Sequence, residues 1–177
     1  MSNCANGVVL VHSNMRAWTS ARFKSYSTGY IPHGGQVRNP FGLSESLFGS
    51  SPGFAAAASA KLVPVAVGTE TDSSIVGPAG INGIVGIYSP MGLTSRTSVI
   101  PNSKLRDTVG TFGRTVADAV TVLWVIGAFD EAYPFTMVSN HPDAMSYLRY
   151  PSDAQVIRMG THQEVVGAST ARYQGCD

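Results

Sequence analysis

Two serine-bearing loops hold the residues of this 177-residue chain whose types and spacing could do chemistry. The first is Gly49-Ser50-Ser51-Pro52-Gly53, just ahead of the small-residue run Ala55 to Ala60. The second is Gly68-Thr69-Glu70-Thr71-Asp72-Ser73-Ser74-Ile75, directly after the apolar stretch Leu62 to Val67. Ser74 lies where an apolar strand gives way to an apolar segment able to start a helix. A serine at such a turn is presented at the end of a sheet, where neighbouring backbone N–H groups can face a developing oxyanion. A serine hydroxyl is a poor nucleophile unaided and needs a base to take its proton. Taken alone, Ser74 is also accounted for as a turn or cap residue. Ser50 and Ser51 read first as caps of the following helix and second as an anion cradle. The loop is not a P-loop, because no Gly-Lys-Ser/Thr follows it. His12, His33, His141 and His162 lack metal-ligand spacing and read as scattered polar residues.

The elements that must position these loops alternate between strand and helix, which argues an α/β fold. Val8 to Val11 reads as a buried strand, with Trp18 and Phe23 as anchors in the segment after it. Gly29 to Asn39 reads as loop. Ala55 to Lys61 has strong helix propensity, and Leu62 to Val67 reads as a buried strand with Pro64 near its start. A small-residue segment with Pro78 follows, then a strand at Ile84 to Tyr88. Residues 89 to 110 read as loop with one short strand near Ser98 to Ile100. Thr115 to Gly127 is a helix: Thr115 and Asp118 can form a capping box and Gly127 can end it. Being apolar nearly all round, this helix is expected to be deeply buried. The chain divides into a core at 1–130 and a divergent, partly irregular tail at 131–177.

Composition narrows the class. Apolar residues make up 44% and charged residues 13%, as in a globular domain and not a disordered one. A net charge of +1 leaves no electrostatic footprint for nucleic acid or an anionic membrane. No apolar run reaches membrane-spanning length. Cys4 and Cys176 stand at opposite ends and read as free thiols, so the expected location is the cytoplasm.

The two loops and their surroundings resemble the amidase signature family, which hydrolyses C–N bonds. The matching run is Phe48-Gly49-Ser50-Ser51-Pro52-Gly53-Phe54-Ala55-Ala56-Ala57-Ala58-Ser59, then Leu62-Val63-Pro64, then Gly68 to Ile75. Downstream the likeness continues through Asn82 to Ile87, Gly92-Leu93-Thr94-Ser95-Arg96, Asp107-Thr108-Val109-Gly110 and Arg114 to Ala119. Upstream it includes Val9 to Trp18 and Gly34 to Phe41.

The resemblance implies a partial amidase signature fold, with a mixed β-sheet core flanked by helices. It places Ser74 at the nucleophile and Ser50 at the serine that relays a proton. The backbone N–H groups of Thr71, Asp72, Ser73 and Ser74 fall at the oxyanion hole. It calls for a small-molecule amide substrate and no cofactor or metal. The family's base is a lysine far upstream of the first serine. Only 49 residues precede Ser50, and Lys24, Lys61 and Lys104 all fall elsewhere in the pattern, so impaired catalysis is expected. Ser73 stands where the family has glycine, and Phe48, Pro52 and Phe54 enlarge a loop that is usually small. Three readings follow: an amide hydrolase, a non-catalytic amidase-like fragment, and a chain completed by a partner that supplies the lysine. A fragment of such a sheet leaves strand edges and apolar helix faces uncovered, so protein partners or self-association are expected.

Overall fold

The structure is a computed structural model that describes residues 9–16, 27–45 and 47–137. Trp18, Phe23, Lys24, His141, His162, both cysteines and most of the expected tail lie outside the described residues.

A short antiparallel hairpin comes first, β1 (Tyr30–Ile31) paired with β2 (Gly35–Gln36). It is followed by α1 (Pro52–Ser59), β3 (Val65–Glu70), α2 (Val76–Ile81), β4 (Val85–Ile87), β5 (Thr108–Gly113) and α3 (Val116–Ile126), with a 3-10 turn at Pro134–Met137. The main sheet has the order β3-β5-β4, with β5 antiparallel to both neighbours. The α/β expectation therefore holds. All three helices pack on this sheet. The core between them is small: Ala55 and Ala58 of α1, Val63, Ile75, Ala79 of α2, and Phe112 of β5. Among the described residues Phe112 is the largest side chain fully withdrawn from water, and its burial contributes about 1.5–3 kcal/mol.

Pro52 opens α1 at a position where a missing N–H costs nothing, because the first N–H groups of a helix have no intrahelical partner. The alanine run carries the helix to Ser59. Lys61 then takes a left-handed conformation (φ +61°), and the Leu62 N–H turns back to the Ala57 carbonyl at 2.9 Å. That turn consumes Leu62 to Pro64. The strand expected at Leu62–Val67 therefore forms three residues later, at Val65–Glu70, and Leu62 is exposed. Arg114 secures the junction, donating to the carbonyls of Ala58 (3.1 Å) and Val63 (2.8 Å).

Three further expectations are corrected. Residues 9 to 11 form no strand and their side chains are exposed. No strand forms at Ser98–Ile100; the chain turns there, with the Val99 N–H on the Arg96 carbonyl at 3.0 Å. The central strand is instead β5, Thr-Val-Gly-Thr-Phe-Gly, whose first three residues fall in the stretch expected as loop; four of its six residues favour strands, and its two glycines are what obscure it. The glycines are required by close approach. A Cβ on Gly110 would stand 2.1 Å from the Ile87 carbonyl oxygen and 2.8 Å from Ile75 Cδ1. Gly110→Ala is expected to lower stability by about 1–3 kcal/mol, the usual cost of overpacking, read as a shift of the urea midpoint.

Helix α3 forms as expected. Thr115 Oγ1 accepts the Asp118 N–H at 3.1 Å and Asp118 Oδ2 accepts the Thr115 N–H at 3.2 Å, with Gly127 at the end. Its expected deep burial does not hold. Only Ala119 is buried, while Val116, Trp124 and Val125 are exposed. An all-apolar helix signals burial only where protein lies on every side of it, and here the sheet covers one face. Among the described residues no helix is long and apolar enough to cross a membrane.

Candidate active site

The Ser74 loop spans the turn from β3 to α2, the strand-to-helix setting expected for it. Its organiser is Glu70, the last residue of β3, whose side chain is only 6% exposed. One carboxylate oxygen accepts the Ser73 N–H at 3.0 Å. The other accepts the N–H groups of Ile75 (2.5 Å) and Val76 (2.9 Å). Ile75 occupies the N-cap of α2 and has no side chain able to cap it, so Glu70 supplies the acceptor from a distance, as the orphan donors of a helix start require. Glu70 is thus a structural acid. Ser74 lies inside this clamp, between bonded neighbours.

Ser73 takes a left-handed backbone, φ +59°. A glycine would adopt it freely, whereas a side chain there costs about 1–2 kcal/mol. The Glu70 bond to its N–H helps hold that geometry. Of the four N–H groups expected at an oxyanion, that of Ser73 is therefore already engaged by a carboxylate. Ser74 itself is 8% exposed, and its hydroxyl makes one long bond, donating to the Asp72 carbonyl at 3.4 Å.

The first serine loop is docked against the same strand. Ser51 sits at the N-cap of α1, yet its hydroxyl makes no capping bond. It donates instead to the Thr69 carbonyl at 3.0 Å, which corrects the cap reading and ties this loop to the strand leading into Ser74. The approach is tight: a Cβ on Gly68 would stand 3.1 Å from Ser51 Oγ and 2.8 Å from Phe112 Cε2. The segment 9–16 crosses the loop on its other side, with the Arg16 N–H on the Ser50 carbonyl (2.9 Å) and the Gly53 N–H on the Asn14 carbonyl (3.2 Å). Gly53 has no alternative there, because a Cβ would fall 2.5 Å from that same carbonyl oxygen. The bulky neighbours are accommodated at the rim. Phe48 packs on Gly77 of α2, and Phe54 lies against the core.

The Gly49–Ser50 peptide bond is cis. Ser50 is 1% exposed, and its hydroxyl has no hydrogen-bond partner among the described residues. Buried polar groups are nearly always paired, so an orphan hydroxyl in a tightly built loop calls for an explanation. Neither Lys61, exposed just after α1, nor Lys104 meets it.

Outside the two loops, a polar network fixes the stretch 95–107. Asp107 accepts from the Thr71 hydroxyl (2.5 Å) and from the N–H groups of Asn102 and Ser103 (2.7 Å each). Arg96 donates to the carbonyls of Ser103 and Lys104 and to the Tyr133 hydroxyl. Asp130 accepts from Ser95, Thr97 and the Ala132 N–H, bonds that hold its carboxyl below the ordinary value of 3.8, the Ser95 hydroxyl contributing most. Sequence reasoning gave Asp107 and Arg96 no role of their own. The available signal was an acid directly ahead of a run that proves to be the central strand.

This arrangement has known counterparts. The Amidase family model matches residues 3–165. An amidase-family protein of Schizosaccharomyces pombe is 40% identical over 151 residues, covering 84% of this chain and 26% of that protein. One subunit of the glutamyl-tRNA(Gln) amidotransferase of Aromatoleum aromaticum is 34% identical over 152 residues, covering 84% of this chain and 31% of its own length. The crystal structure of native peptide amidase from Stenotrophomonas maltophilia superposes with a TM-score of 0.69 at 44% identity, over 74% of this chain and 27% of that one. The chain thus spans between a quarter and a third of the length of these relatives. Two docked serine loops on one strand, matched in sequence and in space across most of the chain, make it a member of the amidase family.

Proposed function

We propose that the chain carries the serine centre of a hydrolase acting on carbon–nitrogen bonds, with Ser74 as nucleophile and Ser50 as the group that relays its proton. The observation that carries this reading is the Ser50 hydroxyl: buried, without a partner among the described residues, and held in a loop pinned from both sides. Leaving a buried hydroxyl unpaired costs about 1–3 kcal/mol, and such a cost persists where the group serves chemistry. In the proposed reaction the Ser74 oxygen attacks an amide carbonyl as its proton passes towards Ser50. The backbone N–H groups of Thr71, Asp72 and Ser74 face the oxyanion. The C–N bond then breaks, the amine leaves with a proton, and water hydrolyses the acyl-enzyme. The substrate class is a small carboxamide.

The same hydroxyl also supports a second reading. Among the described residues no base is bonded to Ser50, and a relay needs a group to start it. This favours a chain of impaired turnover, or one that depends on a protein partner to supply a lysine; the uncovered face of α3 is consistent with such a partner.

A fluorophosphonate probe separates these readings. Attack by Ser74 Oγ on phosphorus displaces fluoride and leaves an adduct on the peptide containing residue 74, read by mass. Adduct formation is expected, and Ser50→Ala should slow it by about 10²- to 10⁴-fold, the range for losing a proton-transfer group. A folded protein that gives no adduct at Ser74 would exclude the hydrolase reading and leave the non-catalytic one.

A further inference from the structure

We infer that the Thr71 side chain and Asp107 are positioning residues for the nucleophile loop, their hydroxyl–carboxylate bond holding the backbone of Thr71 where its N–H faces the oxyanion; this deepens the proposed amide hydrolysis and rests on it. Glu70 fixes the far half of the loop, through the N–H groups of Ser73, Ile75 and Val76. None of those bonds reaches Thr71. The near half is fixed by Asp107, and the sheet explains why. β3 and β5 run antiparallel with Glu70 opposite Thr108, so continuing that register by one residue sets Thr71 opposite Asp107.

Asp107 is 5% exposed, and both of its carboxyl oxygens are bonded. Oδ2 accepts the Asn102 and Ser103 N–H groups at 2.7 Å each, which folds the preceding loop around it. Oδ1 accepts the Thr71 hydroxyl at 2.5 Å. The Asn102 side-chain amide in turn donates to Thr71 Oγ1 at 3.2 Å, so that hydroxyl is bonded as donor and as acceptor. Arg96 braces the loop from outside, donating to the Ser103 carbonyl at 3.1 Å and the Lys104 carbonyl at 3.0 Å. The bonds to Asn102 and Ser103 are local and stabilise their own loop. The bond to Thr71 is different: it crosses between strands and ends on the first residue of the Ser74 loop. A donor aimed at an oxyanion is useful only when held in place before the reaction.

The test separates the hydroxyl from the fold. Thr71→Val keeps the shape and removes the hydroxyl, whereas Thr71→Ser keeps it. Fluorophosphonate modification of Ser74 is followed by mass, resolving the first-order rate from the probe's half-saturation, with the thermal midpoint measured beside it. Thr71→Val is expected to slow the first-order step by about 10- to 100-fold, the size of a lost bond to a charged group, with half-saturation little changed. Thr71→Ser is expected to restore most of the rate. Asp107→Asn is expected to act in the same direction, and combining it with Thr71→Val to add little further. If Thr71→Val does not fold, Asp107→Asn compared with the wild type decides. A wild-type rate in Thr71→Val, or no rescue by Thr71→Ser, would overturn the inference. If the wild type forms no adduct, the hydrolase reading fails by itself. Amide hydrogen exchange at residues 71–74 then decides the positioning claim: faster exchange in Thr71→Val than in Thr71→Ser supports it, and equal exchange refutes it.

Discussion

Ser74→Ala is expected to remove fluorophosphonate modification of the chain and to lower any amide turnover by about 10⁴- to 10⁶-fold, the scale seen when a hydrolase loses its nucleophile. The fold should not register the change. The Ser74 hydroxyl makes a single bond of 3.4 Å to the Asp72 carbonyl, at the outer limit of a hydrogen bond and far from its usual length. The loop is held by Glu70 through neighbours of Ser74, not through its side chain. The urea midpoint of Ser74→Ala should therefore lie close to that of the wild type. Modification that persists in this variant, mapped to Ser50 or Ser51, would move the nucleophile to the other loop.

Glu70→Gln is expected to have the largest effect on stability. The carboxylate accepts three backbone N–H groups and is nearly inaccessible to water. Glutamine keeps one acceptor oxygen and turns an NH₂ towards the remaining donors, which then have no partner. Bonds to a charged group contribute about 1.5–3 kcal/mol each, and an orphaned buried donor costs about 1–3 kcal/mol. A net loss of about 3–5 kcal/mol follows, measured from the urea midpoint at unchanged slope. Two features should fail together. The start of α2 loses its remote cap, and Ser73, left-handed at φ +59°, loses the bond that helps hold it there. Ser74 modification should fall accordingly. A change of about 0.5 kcal/mol or less, typical of a surface substitution, would mean that Glu70 is not the organiser of the loop.

How much of this was legible beforehand differs between the elements and the site. Helix α3 was read nearly to the residue because its signals are local: a threonine, an acid three positions later, and a closing glycine. β5 was not, because its qualification as a strand lies in its neighbours. Thr108 to Gly113 carries two glycines among four strand-favouring residues, and only pairing on both sides, with Ile87 and Ile75 pressed against Gly110, explains those glycines. The strand expected at Leu62 failed on a similar point: the turn closing α1 consumes Leu62 to Pro64 before the ladder begins.

At the site, residue type and spacing along the chain determined that Ser50 and Ser74 stand on two loops joined by a helix and a strand. They also determined that Ser74 lies at a strand-to-helix turn, while the family resemblance marked Ser73 as standing where glycine is usual. These properties depend on covalent order and local backbone preference, which a sequence carries in full. Tertiary structure alone decided which distant polar groups meet: Ser51 with the Thr69 carbonyl, and Asp107 with Thr71 from 36 residues away. It also decided that Ser50 is left without a partner among the described residues. Hydrogen bonds act over about 3 Å, and the proximity that makes or denies them is created only when β3 and β5 pair and the two loops are drawn to the same end of one strand.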